Sequence, residues 1–233
     1  ASFAAKSPSH TYSILDKQGA VALVDHVAAT YPGYANIRQL FDAIPRTVIR
    51  ADFLRFLLLA VEGGVYSDSD TLMVRPLADW VPDGLKDRTR LIVGIEADAG
   101  RHSMLIKGTS HRVQFCQWTL AGAPGHPALW AMVDRVLERT AAVKTFSDAE
   151  VLDLGGPAGW TEVVFEHLRK ETGTVVTWEN MTGMREPRLF GDTLVLPIDG
   201  FATGVPHSGS SQDWTDMTMV QHMFFGGWKD SGM

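Results

Sequence analysis

Two carboxylates one residue apart, Asp68 and Asp70, are the groups in this sequence best placed to do chemistry. On an extended segment alternate side chains point the same way, so these two share a face while Ser69 points opposite. Brought together, they repel unless a cation sits near them. A hard, oxygen-seeking ion such as Mn²⁺ or Mg²⁺ is the natural occupant, with positions left open for further oxygens. An isolated Asp-x-Asp is more often a solvated turn, so context carries the weight. Upstream, Arg50, Asp52 and Arg55 form a polar cluster on an otherwise apolar segment, and Asp52 and Arg55, three apart, are neighbours on a helix surface. A plain ion pair and a set of ligand contacts beside the metal both fit them.

The elements that must position these groups follow from spacing. Ile49 to Glu62 predicts a helix, with Ile49, Phe53, Phe56, Leu57 and Ala60 at helical intervals until Gly63-Gly64 stops it. Val65-Tyr66-Ser67 then begins a strand whose carboxyl end carries the aspartates, where ligands bind in open α/β sheets. Leu91 to Ile95 is continuously apolar, as in a buried central strand. Thr174–Trp178 and Thr193–Ile198 also read as strands, and Val113–Ala121 as a strand with its exit. Gln18–Tyr31, Pro127–Thr140 and Trp160–Lys170 read as helices, the last opened by the Gly155-Gly156-Pro157 turn. His126 is expected simply to open the Pro127 helix. From Phe201 onward, Gly, Ser, His and Trp suit a loop over a site. The alternation favours an α/β fold with a sheet between helical layers, and no repeat or linker divides residues 1–233, so one domain is expected.

A formal charge of -6 provides no basic field for a nucleic-acid backbone. No apolar run approaches the roughly 18 residues of a membrane span, and the first residues lack the apolar segment of a signal peptide. Cys116 is the only cysteine, which excludes an internal disulfide; Phe115 and Trp118 nearby suggest a buried thiol. Asn180-Met181-Thr182 is a glycosylation sequon, consistent with a secretory compartment and equally with chance.

Arg50-Ala51-Asp52, Arg55, and then Gly63 through Thr71 together resemble the signature of the DXD-containing sugar-binding family of glycosyltransferases. Within it, the chain is most similar to the fungal Golgi initiation-specific α-1,6-mannosyltransferases. Further matching blocks are Val93–Asp98, Gln114–Thr119, Pro124–Pro127, Gly156–Glu162, Val195–Ile198 and His222 with Gly227-Trp228-Lys229, so the resemblance spans nearly the whole chain. It implies a GT-A-like, Rossmann-like mixed sheet flanked by helices, a nucleotide-sugar donor (GDP-mannose first), Mn²⁺ or Mg²⁺, and a glycan acceptor. It also implies retention of configuration and residence in the Golgi lumen, as a type II membrane protein at full length. By matching position, Asp68 and Asp70 become the metal and donor carboxylates, and His222 a third group on the metal or diphosphate. Arg50, Asp52 and Arg55 would line the donor pocket, Gln117 and Trp118 would touch donor or acceptor, and Trp228 and Lys229 would close over the diphosphate. Asp98 would face the reacting sugar, with Glu96 the other carboxylate available for a double displacement. Trp160 fits an acceptor platform and a core position equally.

The chain departs from the family pattern in two places. The opening Ile-Pro-Lys-Ile-Ile-His-Gln type strand, which helps bind the base, has no counterpart before Thr11, so part of the nucleotide pocket is expected to be absent. Ser69 stands where a larger apolar residue is usual; pointing away from the metal, it should matter little. Competing functions are a family member with another donor or a sphingolipid acceptor, and a carbohydrate-binding relative without turnover. A phosphohydrolase would want an aspartyl nucleophile near the first strand and a downstream lysine motif, and neither is evident.

Overall fold

The computed structural model describes residues 2–102, 104–142, 147–205 and 208–225. A short helix α1 (Ser2–Lys6) precedes α2 (Lys17–Thr30), α3 (Ile37–Ala43) and α4 (Thr47–Glu62). Asp16 caps α2 by accepting the Gly19 N–H. The apolar residues of α4 bury one broad face, including Ile49, Phe53, Phe56 and Ala60. Gly63 ends the helix at φ 69°, where a Cβ would lie 2.5 Å from Pro124 Cδ, so only glycine makes this reversal. The chain enters β1 (Gly64–Ser67) and, after the aspartates, β2 (Thr71–Met73).

Next come the central strand β3 (Leu91–Asp98), β4 (Val113–Phe115) and β5 (Thr119–Gly122), followed by helices α5 (Pro127–Ala142), α6 (Asp148–Leu154) and α7 (Pro157–Thr172). Strands β6 (Arg188–Phe190), β7 (Thr193–Leu196) and β8 (Val220–His222) complete the order. The main sheet runs β1-β5-β3-β7-β6, with β4 on the second half of β3. β3 pairs antiparallel with β5 at Leu91–Ile92 and with β4 from Ile95 to Asp98, and parallel with β7 along its other edge. The result is a mixed α/β sheet flanked by helices.

The long helices lie on one face, where Phe56, Val93, Phe115, Met132, Trp160 and Val164 form the larger core. Trp80, Ile92, Trp118, Leu194 and Phe201 form a second core on the opposite face, with Phe3 of α1 and the short turns near Leu77 and Leu85 packed against it. β2 and β8 make a separate antiparallel ribbon, Thr71 opposite His222, which carries the far C-terminal segment to the aspartates. No helix among the described residues is long and apolar enough to cross a membrane.

Two expectations change. Thr174–Trp178 is not a strand: the segment leaves the left-handed C-cap Gly173, and Thr177 and Asn180 form a capping box for the turn Trp178–Asn180. Side-chain capping takes the backbone groups that a ladder would need. The segment after Phe201, expected as loop, contains β8, whose three residues are too few to show a period and are fixed by pairing with β2. The Val113–Ala121 stretch resolves into two strands, β4 and β5.

Candidate active site at the Asp68–Asp70 edge

β1 and β3 both run antiparallel to β5, so they point the same way and their carboxyl ends share one edge. Asp68 leaves β1 at that edge, its N–H donating to the Trp118 carbonyl at 2.8 Å. Its carboxylate is held from the helix side. Arg55 donates through one terminal nitrogen to Asp52 Oδ1 at 2.8 Å and through the other to Asp68 Oδ1 at 3.1 Å. Tyr66, two residues before Asp68 and so on its face of the strand, donates its hydroxyl to the same Oδ1 at 2.7 Å. Both bonds land on one oxygen, leaving Oδ2 for a ligand.

Asp52 and Arg55 are buried. Burial works against the guanidinium charge, but the Asp52 and Asp68 carboxylates outweigh it and keep Arg55 cationic. Burial pushes the Asp52 carboxyl upward against the attraction of Arg55. Burial and the Asp68 charge, against Arg55, push the Tyr66 phenol up to about 12, so it stays a donor at neutral pH. Gly155, before α7, makes room for this group, since a Cβ there would lie 2.9 Å from Asp52 Cβ.

The second half of the site comes from the C-terminal ribbon. His222 Nε2 meets Asp70 Oδ1 at 3.2 Å, and its ring stacks on Trp118 with centroids 4.9 Å apart. The Met223 N–H bonds the Asp70 carbonyl at 2.8 Å and the Phe225 N–H bonds Asp70 Oδ2 at 3.1 Å, which draws the segment over the aspartate. Ligand atoms of Asp68, Asp70 and His222 all lie within 4.8 Å of one another. Burial lowers the His222 pKa despite Asp70 and Asp68, favouring the neutral ring that ligates metals. Two carboxylates and a neutral imidazole fit a divalent ion of the Mn²⁺ type. Polar atoms nearby lack partners: Asp52 Oδ2, Arg55 Nε, Gln117 Oε1 and His222 Nδ1 are buried without a hydrogen bond among the described residues.

Other sequence-derived candidates fall elsewhere. Arg50 does not join the cluster, because about 100° per residue places it well around α4 from Asp52 and Arg55. Its guanidinium donates to the carbonyls of Ile44 and Asp42 at the end of α3. Asp98 accepts from Gly100 N–H at 2.9 Å, Thr182 Oγ1 at 2.8 Å and Gly183 N–H at 2.7 Å, so its carboxylate anchors the loop beyond Thr177. Trp160 is fully buried against Phe56, a core position rather than an acceptor platform. Trp228 and Lys229 lie outside the described residues. Sequence reasoning missed Tyr66, although its place two residues before Asp68 was the available signal. It also missed the Met223–Phe225 strap, for which no local signal exists.

A second cluster, His126, His167 and Asp192, sits at the opposite end of the sheet, where the Asp192 carbonyl bonds the Arg90 and Leu91 N–H groups. His126 Nδ1 accepts the Ala128 N–H at 3.2 Å and so helps open α5, as expected. His126 Nε2 then lies 3.3 Å from Asp192 Oδ2 and His167 Nε2 3.0 Å from Asp192 Oδ1, which sets the aspartate between two imidazoles.

With this geometry in place, comparison with known proteins is specific. The family described as "glycosyltransferase sugar-binding region containing DXD motif" matches residues 1–87, a span that includes Asp52, Arg55, Tyr66, Asp68 and Asp70. The chain's sequence relatives include proteins named as mannosyltransferases. An initiation-specific alpha-1,6-mannosyltransferase of Schizosaccharomyces pombe is 40% identical over 229 residues, 96% of this chain and 57% of that protein. The protein of the same name from Candida albicans is 29% identical over 255 residues, 98% of this chain and 65% of that protein. The chain thus spans under two thirds of the length of these relatives. Among solved structures, the PaToxG glycosyltransferase aligns over 69% of this chain and 46% of that one, at 18% identity and a TM-score of 0.39.

Proposed function

We propose that this chain is the catalytic region of a metal-dependent, retaining mannosyltransferase that moves mannose from GDP-mannose to a glycan acceptor. The observation that carries the proposal is the convergence of Asp68, Asp70 and His222 from two distant segments onto one point, beside the buried Asp52–Arg55 pair. The names of the relatives suggest the sugar and the linkage class. Residence in the Golgi lumen belongs to the same proposal.

Asp68, Asp70 and His222 would hold the cation, which when bound neutralises the diphosphate and stabilises charge on it as the sugar leaves. Arg55 and Tyr66 orient Asp68 by bonding one oxygen and leaving the other free. Asp98 is tied to a loop, so we assign it no nucleophilic role. The acceptor oxygen would bond the anomeric carbon on the face from which the diphosphate's carbon–oxygen bond breaks, the departing phosphate taking the acceptor's proton, so that configuration is retained.

Titration of GDP and UDP with and without Mn²⁺, followed by GDP-mannose hydrolysis, tests this. Metal-dependent GDP binding with slow hydrolysis is expected. Metal-independent binding would remove the role given to Asp68 and Asp70, and binding without hydrolysis or transfer would leave a carbohydrate-binding relative.

A further inference from the structure

Glu96 sits on a bulge of the central strand. Ile95 pairs with Phe115 and Ala97 with Gln114, so the register skips at Glu96. Bulges re-aim side chains and concentrate beside active sites. Glu96 Oε2 accepts from Gln114 Nε2 at 3.0 Å, and Gln114 is itself fixed by the Ser110 N–H on its Oε1 at 2.9 Å. Gln114 alternates with Phe115, whose ring packs on Phe165 of α7. Glu96 and Gln114 therefore lie on the face away from the long helices, which carries Cys116, Trp118 and Phe201.

That face leads to the metal half of the site. Phe201 lies against Gly94, where a Cβ would come within 2.6 Å of its ring, and its carbonyl accepts the Trp118 indole N–H at 3.0 Å. Trp118 stacks on His222, which meets Asp70. β1 and β3 run the same way on either side of β5, so Glu96, near the end of β3, lies toward the same carboxyl edge at which Asp68 leaves β1.

The carboxyl has no cation partner among the described residues, and burial, against the Gln114 bond, pushes it up to about 7. A carboxyl held in this way is costly to the fold and serves as both donor and acceptor near neutrality. Asp98, two residues on, has its oxygens taken by the Thr182–Gly183 loop, whereas Oε1 of Glu96 makes no hydrogen bond among the described residues. We propose that Glu96 binds a hydroxyl of the transferred sugar and helps set donor specificity, an inference that rests on this edge being a nucleotide-sugar site.

The test compares wild type, Glu96→Gln and Glu96→Ala for affinity to GDP and to GDP-mannose in Mn²⁺, with thermal unfolding beside them. Expected are folded variants with GDP affinity within about two-fold of wild type, and GDP-mannose affinity about 10-fold weaker in Glu96→Ala, less so in Glu96→Gln. Unchanged GDP-mannose affinity and turnover in both variants, with wild type binding normally, would overturn the role of Glu96 alone. Equal loss for GDP, or unfolding of Glu96→Gln, would assign the carboxyl to the metal or the fold and also overturn it. A wild type that binds no GDP with Mn²⁺ overturns the nucleotide-sugar reading and this inference with it.

Discussion

At the scale of single residues, Arg55 couples the fold to the site. One guanidinium bridges a buried carboxylate, Asp52, and Asp68, the carboxylate proposed to hold the cation. Arg55→Ala strands Asp52 in the interior and is expected to cost about 3–5 kcal/mol, measured by denaturant unfolding. Arg55→Lys should recover little of this, because an ammonium lacks the planar fork that reaches both carboxylates. Tyr66→Phe removes only an orienting bond, so it should leave stability nearly intact and weaken Mn²⁺-dependent GDP binding about 10-fold by calorimetry. Asp70→Ala, which also loses the His222 contact, should abolish that binding. The Asp52–Arg55 pairing was legible from a spacing of three on a helix. The exclusion of Arg50 follows from the same geometry, once the helix is taken as continuous through all three residues.

At the scale of elements, the α4-to-β1 reversal sets the distance between Arg55 and Asp68. Gly63 combines a left-handed backbone with contact against Pro124, so Gly63→Ala meets both strain and a clash. We expect a loss of about 1–3 kcal/mol by chemical denaturation, with weaker GDP binding in the fraction that folds. This junction was visible in the sequence as Gly63-Gly64 after a helical run. The β2–β8 ribbon was not. Its strands have three residues each, and what makes them strands is each other.

At the scale of the whole molecule, the two ends of the sheet answer pH differently. His126 is fully buried, and burial, opposed by Asp192, lowers its pKa to about 4 from an ordinary 6.5. Between those values the unfolded chain binds a proton that the folded chain refuses, so stability rises with pH there by up to about 3 kcal/mol. Glu96, raised to about 7, acts in the opposite sense over much of the same range, since its folded form keeps a proton that the unfolded chain releases. Asp52, also raised to about 7, acts in the same sense as Glu96, so the wild-type curve alone does not isolate His126. The difference between wild type and His126→Gln, followed by urea unfolding from pH 4 to 7, should show the His126 slope. Superimposable pH dependences would dismiss it.

The sequence by itself determined the long helices, the buried central strand and the two aspartates at a strand's carboxyl end. Each depends on periodicity or punctuation within a dozen residues. It also placed His222 with those aspartates through the family resemblance alone. Only the tertiary structure brought the imidazole there, gave Asp98 to a loop, put Trp160 in the core and left Glu96 open on its bulge. Those outcomes depend on pairing and packing between segments far apart in the chain, and local spacing carries no record of which distant backbone will occupy a carboxylate.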